Sequence, residues 1–423
     1  MSSYAVQRST AYRTDNQLFR NCFLILLFNF VWAIGIPLTY EMTILPAFFQ
    51  KMGAHPIVYS LLQVSVNLPV FVQIIPRFSR LNLRSSKTVI FGAYTFCGIG
   101  YIVFGLVAPF TVQHTEIFVP CLLLLLFFIF AFYQLASILY FEFMSRVIPI
   151  NLYGRLFGLT GVVNSAGSIL GSFILGFILR TVKFPMTYGV LFAAAGVLFI
   201  LSSLSCLFMQ EKHPEQIEGR VSENFIVYLR SLKPLITKKI VIVYAVFTVF
   251  ILVNQLPSGF FYPYLRTQTC VTVNLTTITF VTFLSQAVLL PILGICLDKC
   301  GRMRTITIYI SMTLLSLIAL LSQLSWGYYA VFILYGMYGL FISMIKARLS
   351  NECVSSGERM DTVIIINIAG VLLSTVLSLV YGMIAQCTGK YSSLFILTLV
   401  VMIGFFPTAW LFFKLLEQKS GQA

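Results

Sequence analysis

The stretch YGRLFGLTGVVNSAGSILGSFILGFI, Tyr153–Ile178, decides how the chain folds. After a Gly-Arg step it is apolar, and small residues recur at Gly158, Gly161, Gly167, Gly171 and Gly176. In water each such glycine would weaken a helix by up to about 1 kcal/mol relative to alanine. In lipid, packing rather than hydrophobicity drives helix association, and a side that is nearly bare backbone admits a second helix closely. Gly167 and Gly171 have the G-x-x-x-G spacing of such a side. The stretch reads as a membrane helix packed hard against another one, although glycine is also simply common in membrane helices.

Composition agrees. The 423 residues are 59% hydrophobic and 10% charged, with mean hydropathy +0.93. Soluble domains carry about 25% charged and about 45–50% apolar residues. The chain reads as an all-α polytopic membrane protein. Its polar start lacks a small-residue cleavage site, and the first apolar run is long enough to span, so that run is helix 1 and not a signal peptide. Nine cysteines are scattered without a C-x-x-C pair, and no metal or other cofactor is expected.

A span needs about 20 apolar residues. Twelve runs qualify: 21–49, 56–76, 88–110, 119–143, 156–180, 185–209, 240–263, 275–297, 305–323, 327–345, 361–386 and 391–414. The first is long for one span and should tilt or extend beyond the bilayer. An even count puts both termini on one side. Of the 28 Lys and Arg residues, only Lys51, Arg180, Lys183, Arg266 and Lys390 fall in the odd-numbered loops. The positive-inside rule then places both termini in the cytoplasm. It also explains the net charge of +15 without nucleic acid. The long polar break at 210–239 reads as a cytoplasmic linker between two six-helix bundles, 1–209 and 240–423.

The two halves are related. A shift of 203 residues lays Gly154, Asn164, Ala166, Gly167 and Leu170 on Gly357, Asn367, Ala369, Gly370 and Leu373. A shift of 222 lays Val66, Leu68, Pro69 and Arg80 on Val288, Leu290, Pro291 and Arg302. Two matches in the same order point to the parallel repeats of a two-bundle transporter.

The loop after span 8 reads GICLDKCGRMR, Gly294–Arg304. It resembles the Gly-x-x-x-Asp-(Arg/Lys)-x-Gly-Arg-(Arg/Lys)-(Arg/Lys) signature of the major facilitator superfamily. Gly294, Asp298, Lys299, Gly301, Arg302 and Arg304 fit and Met303 does not. The glycine-rich stretch resembles helix 5 of that superfamily, and Leu45, Pro46, Phe48 and Gly53 resemble a prokaryotic branch of it. The resemblance implies twelve transmembrane helices in two pseudo-symmetric bundles, a bacterial inner membrane, and a cytoplasmic latch made by the Asp298 group. Glu142 and Arg146, spaced i,i+4, either pair with each other at little net value or join the latch, and Arg155 is a further latch candidate. In the first half, Pro76 and Ser79 stand where Asp298 and Gly301 do, and a proline cannot accept a charge-assisted hydrogen bond. The resemblance also implies a substrate path along spans 1, 4, 7 and 10. Spans 5 and 11 should pack at the bundle interface through Asn164, Gly167, Gly171, Asn367 and Gly370.

Acids inside a membrane are costly and usually functional. Glu41 lies 21 residues after Arg20, about 31 Å along a continuous helix at 1.5 Å per residue. It reads as a proton-coupling carboxylate facing a cavity, or as one that reaches outer water. Asn29, Trp32 and Tyr40 on span 1, Gln134 on span 4, and Asn254 and Gln255 on span 7 are the polar cavity candidates. The alternative for each amide is glue between helices. Pro257 and Gly259 can open the backbone of span 7, which is tolerated only where protein or a wet cavity satisfies it.

His55, His114 and His213 lie in or beside three different loops, with no nucleophile–base pair and no phosphate loop, so no enzyme is expected. The expected function is a monomeric secondary transporter of an unidentified small solute, proton-coupled through Glu41. A transporter-like receptor, scaffold or partner subunit is the alternative.

Overall fold

A computed structural model describes residues 2–78, 86–112, 114–148, 150–210, 232, 252–268, 274–300, 302–337 and 359–404. All regular structure among the described residues is helical. The helices are α1 (Ser2–Gly35), α2 (Ile44–Lys51), α3 (Pro56–Asn67), α4 (Ile75–Phe78), α5 (Ser86–Val107), α6 (Thr115–Val147), α7 (Ile150–Thr181) and α8 (Met186–Phe208). They continue with α9 (Phe261–Gln268), α10 (Leu275–Cys300), α11 (Arg302–Leu321), α12 (Ser325–Gly336), α13 (Arg359–Thr388) and α14 (Ser392–Gly404). Eight segments among them are long and apolar enough to cross a membrane. Their outer faces stay apolar: Phe173 and Phe177 on α7 are 62% and 68% exposed, a surface that suits lipid and not water. The chain is an integral multi-pass membrane protein. Most of the linker at 210–239 lies outside the described residues.

The first apolar run is not one helix. α1 ends at Gly35, a 3-10 turn covers Ile36–Leu38, and α2 starts only at Ile44. Pro37 explains the break, because it has no N–H to give the carbonyl of Ala33 one turn earlier. That carbonyl is satisfied from outside the helix: Ser168 Oγ on α7 donates to it at 3.2 Å. Beyond the break, the Tyr40 carbonyl collects the N–H groups of Thr43, Ile44 and Leu45 at 3.2, 2.8 and 3.3 Å, which starts α2. The run at 240–263 breaks in the same way. Residues 252–255 are helical, a 3-10 turn containing Pro257 covers Leu256–Phe260, and α9 follows. α2 and α9 are both eight residues long.

The chain forms two compact units, Met1–Thr39 with Ile75–Pro109 and Phe128–Val221, and Tyr40–Ile74 with Phe110–Phe127 and Ser222–Ala423. In the first, α7 packs on α1. A Cβ added at Gly167 would stand 2.5 Å from the Phe30 carbonyl oxygen and 2.9 Å from Ala33 Cβ. One added at Gly171 would stand 3.0 Å from Pro37 Cγ. The glycine face of the opening stretch therefore lies against α1 at its break. α5 and α8 form a second seam, in which Gly98 and Gly105 meet the backbone around Gly196 and Gly189. In the second unit α3 packs on α13, α2 on α9, and α10 on α11 and α12.

Candidate functional site

In the second unit, the residues that follow the first break and those that precede the second bring polar groups together. Tyr40, Glu41 and Met42 follow the first break, and Gln255 immediately precedes the second. Tyr40 Oη donates to Met42 Sδ at 3.1 Å. Gln255 Nε2 approaches the same sulfur at 4.0 Å. Gln255 Oε1 is buried and accepts no hydrogen bond among the described residues. The Tyr40 ring leans on Phe283 of α10, with centroids 5.1 Å apart. Helix α12 ends at the site, where a Cβ on Gly336 would stand 3.2 Å from Tyr40 Oη. The Gly336 carbonyl accepts from Gln286 Nε2 at 2.9 Å. Glu41 is exposed, in the turn between the break and α2. Buried beside it, the hydroxyls of Thr43 and Thr279 share a hydrogen bond of 3.2 Å that ties the turn to α10.

A polar clamp holds the second break. Gln63 Nε2 on α3 donates to the Leu256 carbonyl at 3.0 Å. Gln63 Oε1 accepts from Ser378 Oγ on α13 at 3.1 Å. Gly259 gives the Gln63 side chain its room: a Cβ there would lie 3.1 Å from Gln63 Cδ. Nearer the start of α13, Asn367 Nδ2 donates to Gln73 Oε1 at 3.3 Å, and Gly370 is buried.

Asn254 is fully buried, and both ends of its amide are matched. Its Nδ2 donates to Thr313 Oγ1 at 3.1 Å, and its Oδ1 accepts from Tyr335 Oη at 3.3 Å. This is the helix-to-helix use of an amide, one residue from the under-matched Gln255.

The first unit holds the remaining polar candidates. Asn29 Nδ2 donates to the Ile25 carbonyl at 2.8 Å, and Asn29 Oδ1 receives Asn164 Nδ2 at 3.5 Å. The equivalent asparagines Asn164 and Asn367 thus each donate to an amide on a helix packed against their own. Trp32 stacks on Phe199 with centroids 4.2 Å apart and on Tyr133 at 5.7 Å, with Tyr94 edge-on at 5.0 Å. Phe28, one turn from Trp32, meets Tyr140 at 4.8 Å. Offset and edge-on contacts of this kind are each worth about 0.5–1.5 kcal/mol beyond area burial. Gln134 is half-buried on α6, and its carbonyl accepts from Ser137 Oγ.

The latch candidates are placed only in backbone terms. Gly294, Asp298 and the exposed Lys299 lie in the last two turns of α10, and Arg302 and Arg304 in the first turn of α11. Glu142 and Arg146 lie near the end of α6 and Arg155 near the start of α7. Except for Lys299, the side chains of these charged residues, and all of Gly301, lie outside the described residues. No group of three or more metal-ligating side chains occurs among the described residues.

Sequence reasoning passed over Met42, Gln63, Phe283, Gln286 and Gly336. Gln63 and Gln286 carried a signal, an uncharged amide within an apolar run. Met42, Phe283 and Gly336 carried none, because such residues are ordinary in a membrane helix.

No protein-family model matches the chain, and no curated protein does. Solved structures do. A D-xylose–proton symporter is 14% identical, over 91% of this chain and 97% of its own, with a TM-score of 0.66. The nucleoside transporter NupG is 12% identical, over 94% and 99%, with a TM-score of 0.65. The xylose transporter XylE from E. coli, in an inward-open conformation, is 12% identical, over 92% and 95%, with a TM-score of 0.64.

Proposed function

The chain has the fold of the major facilitator transporters, and on that premise we propose that it is a secondary active transporter of a small solute. Its two bundles, 1–209 and 240–423, alternate in exposing a central path across a bacterial inner membrane. Twelve spans and a linker at 210–239 leave both termini in the cytoplasm, as the distribution of Lys and Arg supports. The chain works as a monomer.

The observation that carries this reading is the pair of matched helix breaks. Transporters build substrate and coupling-ion sites from discontinuous helices near the middle of the membrane. Irregular backbone persists at that depth only where protein or a wet cavity satisfies it. Here Ile36–Leu38 and Leu256–Phe260 interrupt the first helix of each repeat, and Tyr40, Glu41, Met42 and Gln255 flank the interruptions. Glu41 is the coupling carboxylate. It is exposed, so it can exchange a proton with a hydrated path. Among the neighbours, one is named as a D-xylose–proton symporter and another as a nucleoside transporter.

The test needs no labelled substrate. Proteoliposomes enclosing a pH dye are challenged with a solute library, and a coupled solute reports itself by moving protons inward. Glu41→Gln should abolish that proton movement and uphill accumulation while sparing solute binding. Unchanged uphill flux in Glu41→Gln would remove Glu41 from the mechanism. A library in which solutes bind and none crosses would favour the receptor reading.

A further inference from the structure

We propose that Tyr40, Met42 and Gln255 form a recognition subsite for a neutral solute bearing hydroxyl or amide groups, with the Met42 sulfur standing in for the solute when none is bound. The proposal rests on the transporter reading and names the substrate class of its site.

Two donors converge on one poor acceptor. Tyr40 Oη lies 3.1 Å from Met42 Sδ and Gln255 Nε2 lies 4.0 Å from it. A thioether is only a weak acceptor. The other end of the same carboxamide, Gln255 Oε1, is buried without a donor among the described residues. Turning the amide over would transfer the deficit to Nε2 without removing it. A buried polar atom left unmatched in a folded protein calls for an explanation.

The rest of the fold shows that matching an amide is within its means. Asn254, the adjacent residue, has both ends of its amide bonded. Gln63 does too, and Gln286 donates to the Gly336 carbonyl. Among the described residues, Gln255 carries the one side-chain amide with a buried unmatched atom; the hydroxyls of Ser60 and Thr375 are unmatched elsewhere. Met42 is suited to give way beside Gln255, because its side chain is unbranched and adapts to irregular space.

The unmet groups define the ligand. Two donors and one acceptor ask for a partner with acceptors and a donor close together. Adjacent hydroxyls, or an amide, supply both. A carboxylate offers no donor to Gln255 Oε1, and an ammonium offers no acceptor to Tyr40 Oη or Gln255 Nε2. Phe283, 5.1 Å from the Tyr40 ring, adds an apolar wall for the body of such a solute.

Thermal unfolding of the purified protein in detergent tests this, with erythritol, myo-inositol and uridine as neutral probes and tetramethylammonium and acetate as charged ones. At least one neutral probe should raise the wild-type unfolding temperature by mass action, and the charged ones should not. Gln255→Met keeps the volume and removes the unmatched atom. It should raise the unfolding temperature without solute and weaken the responding probe by about tenfold or more, the worth of a hydrogen bond to a buried group. Met42→Leu should lower the solute-free temperature and enlarge the probe's effect, because the probe then supplies the acceptor that Tyr40 has lost. The proposal is overturned if Gln255→Met destabilises the solute-free protein. It is equally overturned if no neutral probe shifts the wild type, or if tetramethylammonium or acetate shifts it as much. Binding is read without a membrane or gradient. A probe that binds through Gln255 and never crosses proteoliposomes would therefore sink the transport reading alone. A solute carried with full proton coupling by Gln255→Met would sink the subsite alone.

Discussion

Four alanine substitutions on one helix test how α7 is used. At Gly171 the added Cβ would sit 3.0 Å from the Ile34 carbonyl carbon and from Pro37 Cγ, with the Ile34 carbonyl oxygen closer still. At Gly167 it would sit 2.5 Å from the Phe30 carbonyl oxygen and 2.9 Å from Ala33 Cβ. These are backbone atoms or short rigid groups, and none can swing aside. α1 and α7 would have to part, and overpacking of this kind costs about 1–3 kcal/mol. Alanine returns up to about 1 kcal/mol of helix propensity at each site. The net expectation for Gly167→Ala and Gly171→Ala is a loss of up to about 2 kcal/mol. Gly158 and Gly161 are the controls. They lie on the same helix, exposed, with nothing within 4 Å of an added Cβ. Only propensity acts there, so alanine should stabilise by about 0.5–1 kcal/mol. Unfolding temperatures in a single detergent, with a bound probe as a second reading, should therefore split the four variants two and two. If all four move together, or if Gly161→Ala is the worst, the close approach of α7 to α1 is not what the glycines provide. The same set bears on function: if α7 gates, larger residues at Gly167 or Gly171 should slow alternation and leave solute binding in place.

Other perturbations probe the two breaks and the ends beyond them. Gln63→Leu would leave the Leu256 carbonyl and the Ser378 hydroxyl without Gln63, at about 1–3 kcal/mol for each group left unmatched; it should loosen α2 from its neighbours. An Ala47→Cys reporter, fully buried in the parent, should then react faster with a thiol reagent once the nine native cysteines are replaced, and an unchanged rate would contradict the clamp. Asn254→Leu should lower the unfolding temperature, because Thr313 and Tyr335 each lose a partner; a variant that unfolds normally and loses only solute binding would return Asn254 to the cavity. Lys51 lies at the end of α2, outside the spans, where burial first and the charge of Arg266 second hold its pKa below the ordinary lysine range. The unfolded chain then keeps this proton to higher pH than the folded one, so the penalty is complete at neutral pH and disappears as pH rises through the lowered value to the ordinary one. Lys51→Gln should raise stability slightly at neutral pH, more at low salt than at high, and flatten the alkaline rise; a fall in stability would show that the ammonium is held by attraction.

Much of the fold was legible because lipid is an undemanding reader: long apolar runs, few internal charges and the side on which Lys and Arg collect. The site was legible only where a residue was out of character. Glu41, and the Pro257–Gly259 breakers beside Gln255, stood out against apolar surroundings. The first break did not, since Ile36, Pro37 and Leu38 keep the run apolar and hydropathy registers no loss. Excess length was its only trace. Asn254 and Gln255 could not be told apart at all. They differ by one helical step, about 100° around the axis, and that rotation puts one amide among partners and the other beside a methionine. The seam of Gly98 and Gly105 with Gly189 and Gly196 was missed for a related reason, because a glycine does not record which helix it will meet.

The two breaks also explain why the glycine-rich stretch belongs to the functional reading. Pro37 leaves the Ala33 carbonyl without its intrahelical donor, and Ser168, between Gly167 and Gly171, provides the replacement. It can reach only because the glycines let α7 come within backbone distance of α1. At the second break, Gln63 reaches the Leu256 carbonyl over Gly259. In each case an interrupted helix is held by a polar side chain from another helix, admitted by a glycine. Backbone that is irregular at membrane depth persists only where protein or a wet cavity satisfies it, and here protein side chains do so. The packing of α7 thus holds the first break within its unit, and the clamp of α3 holds the second within its own.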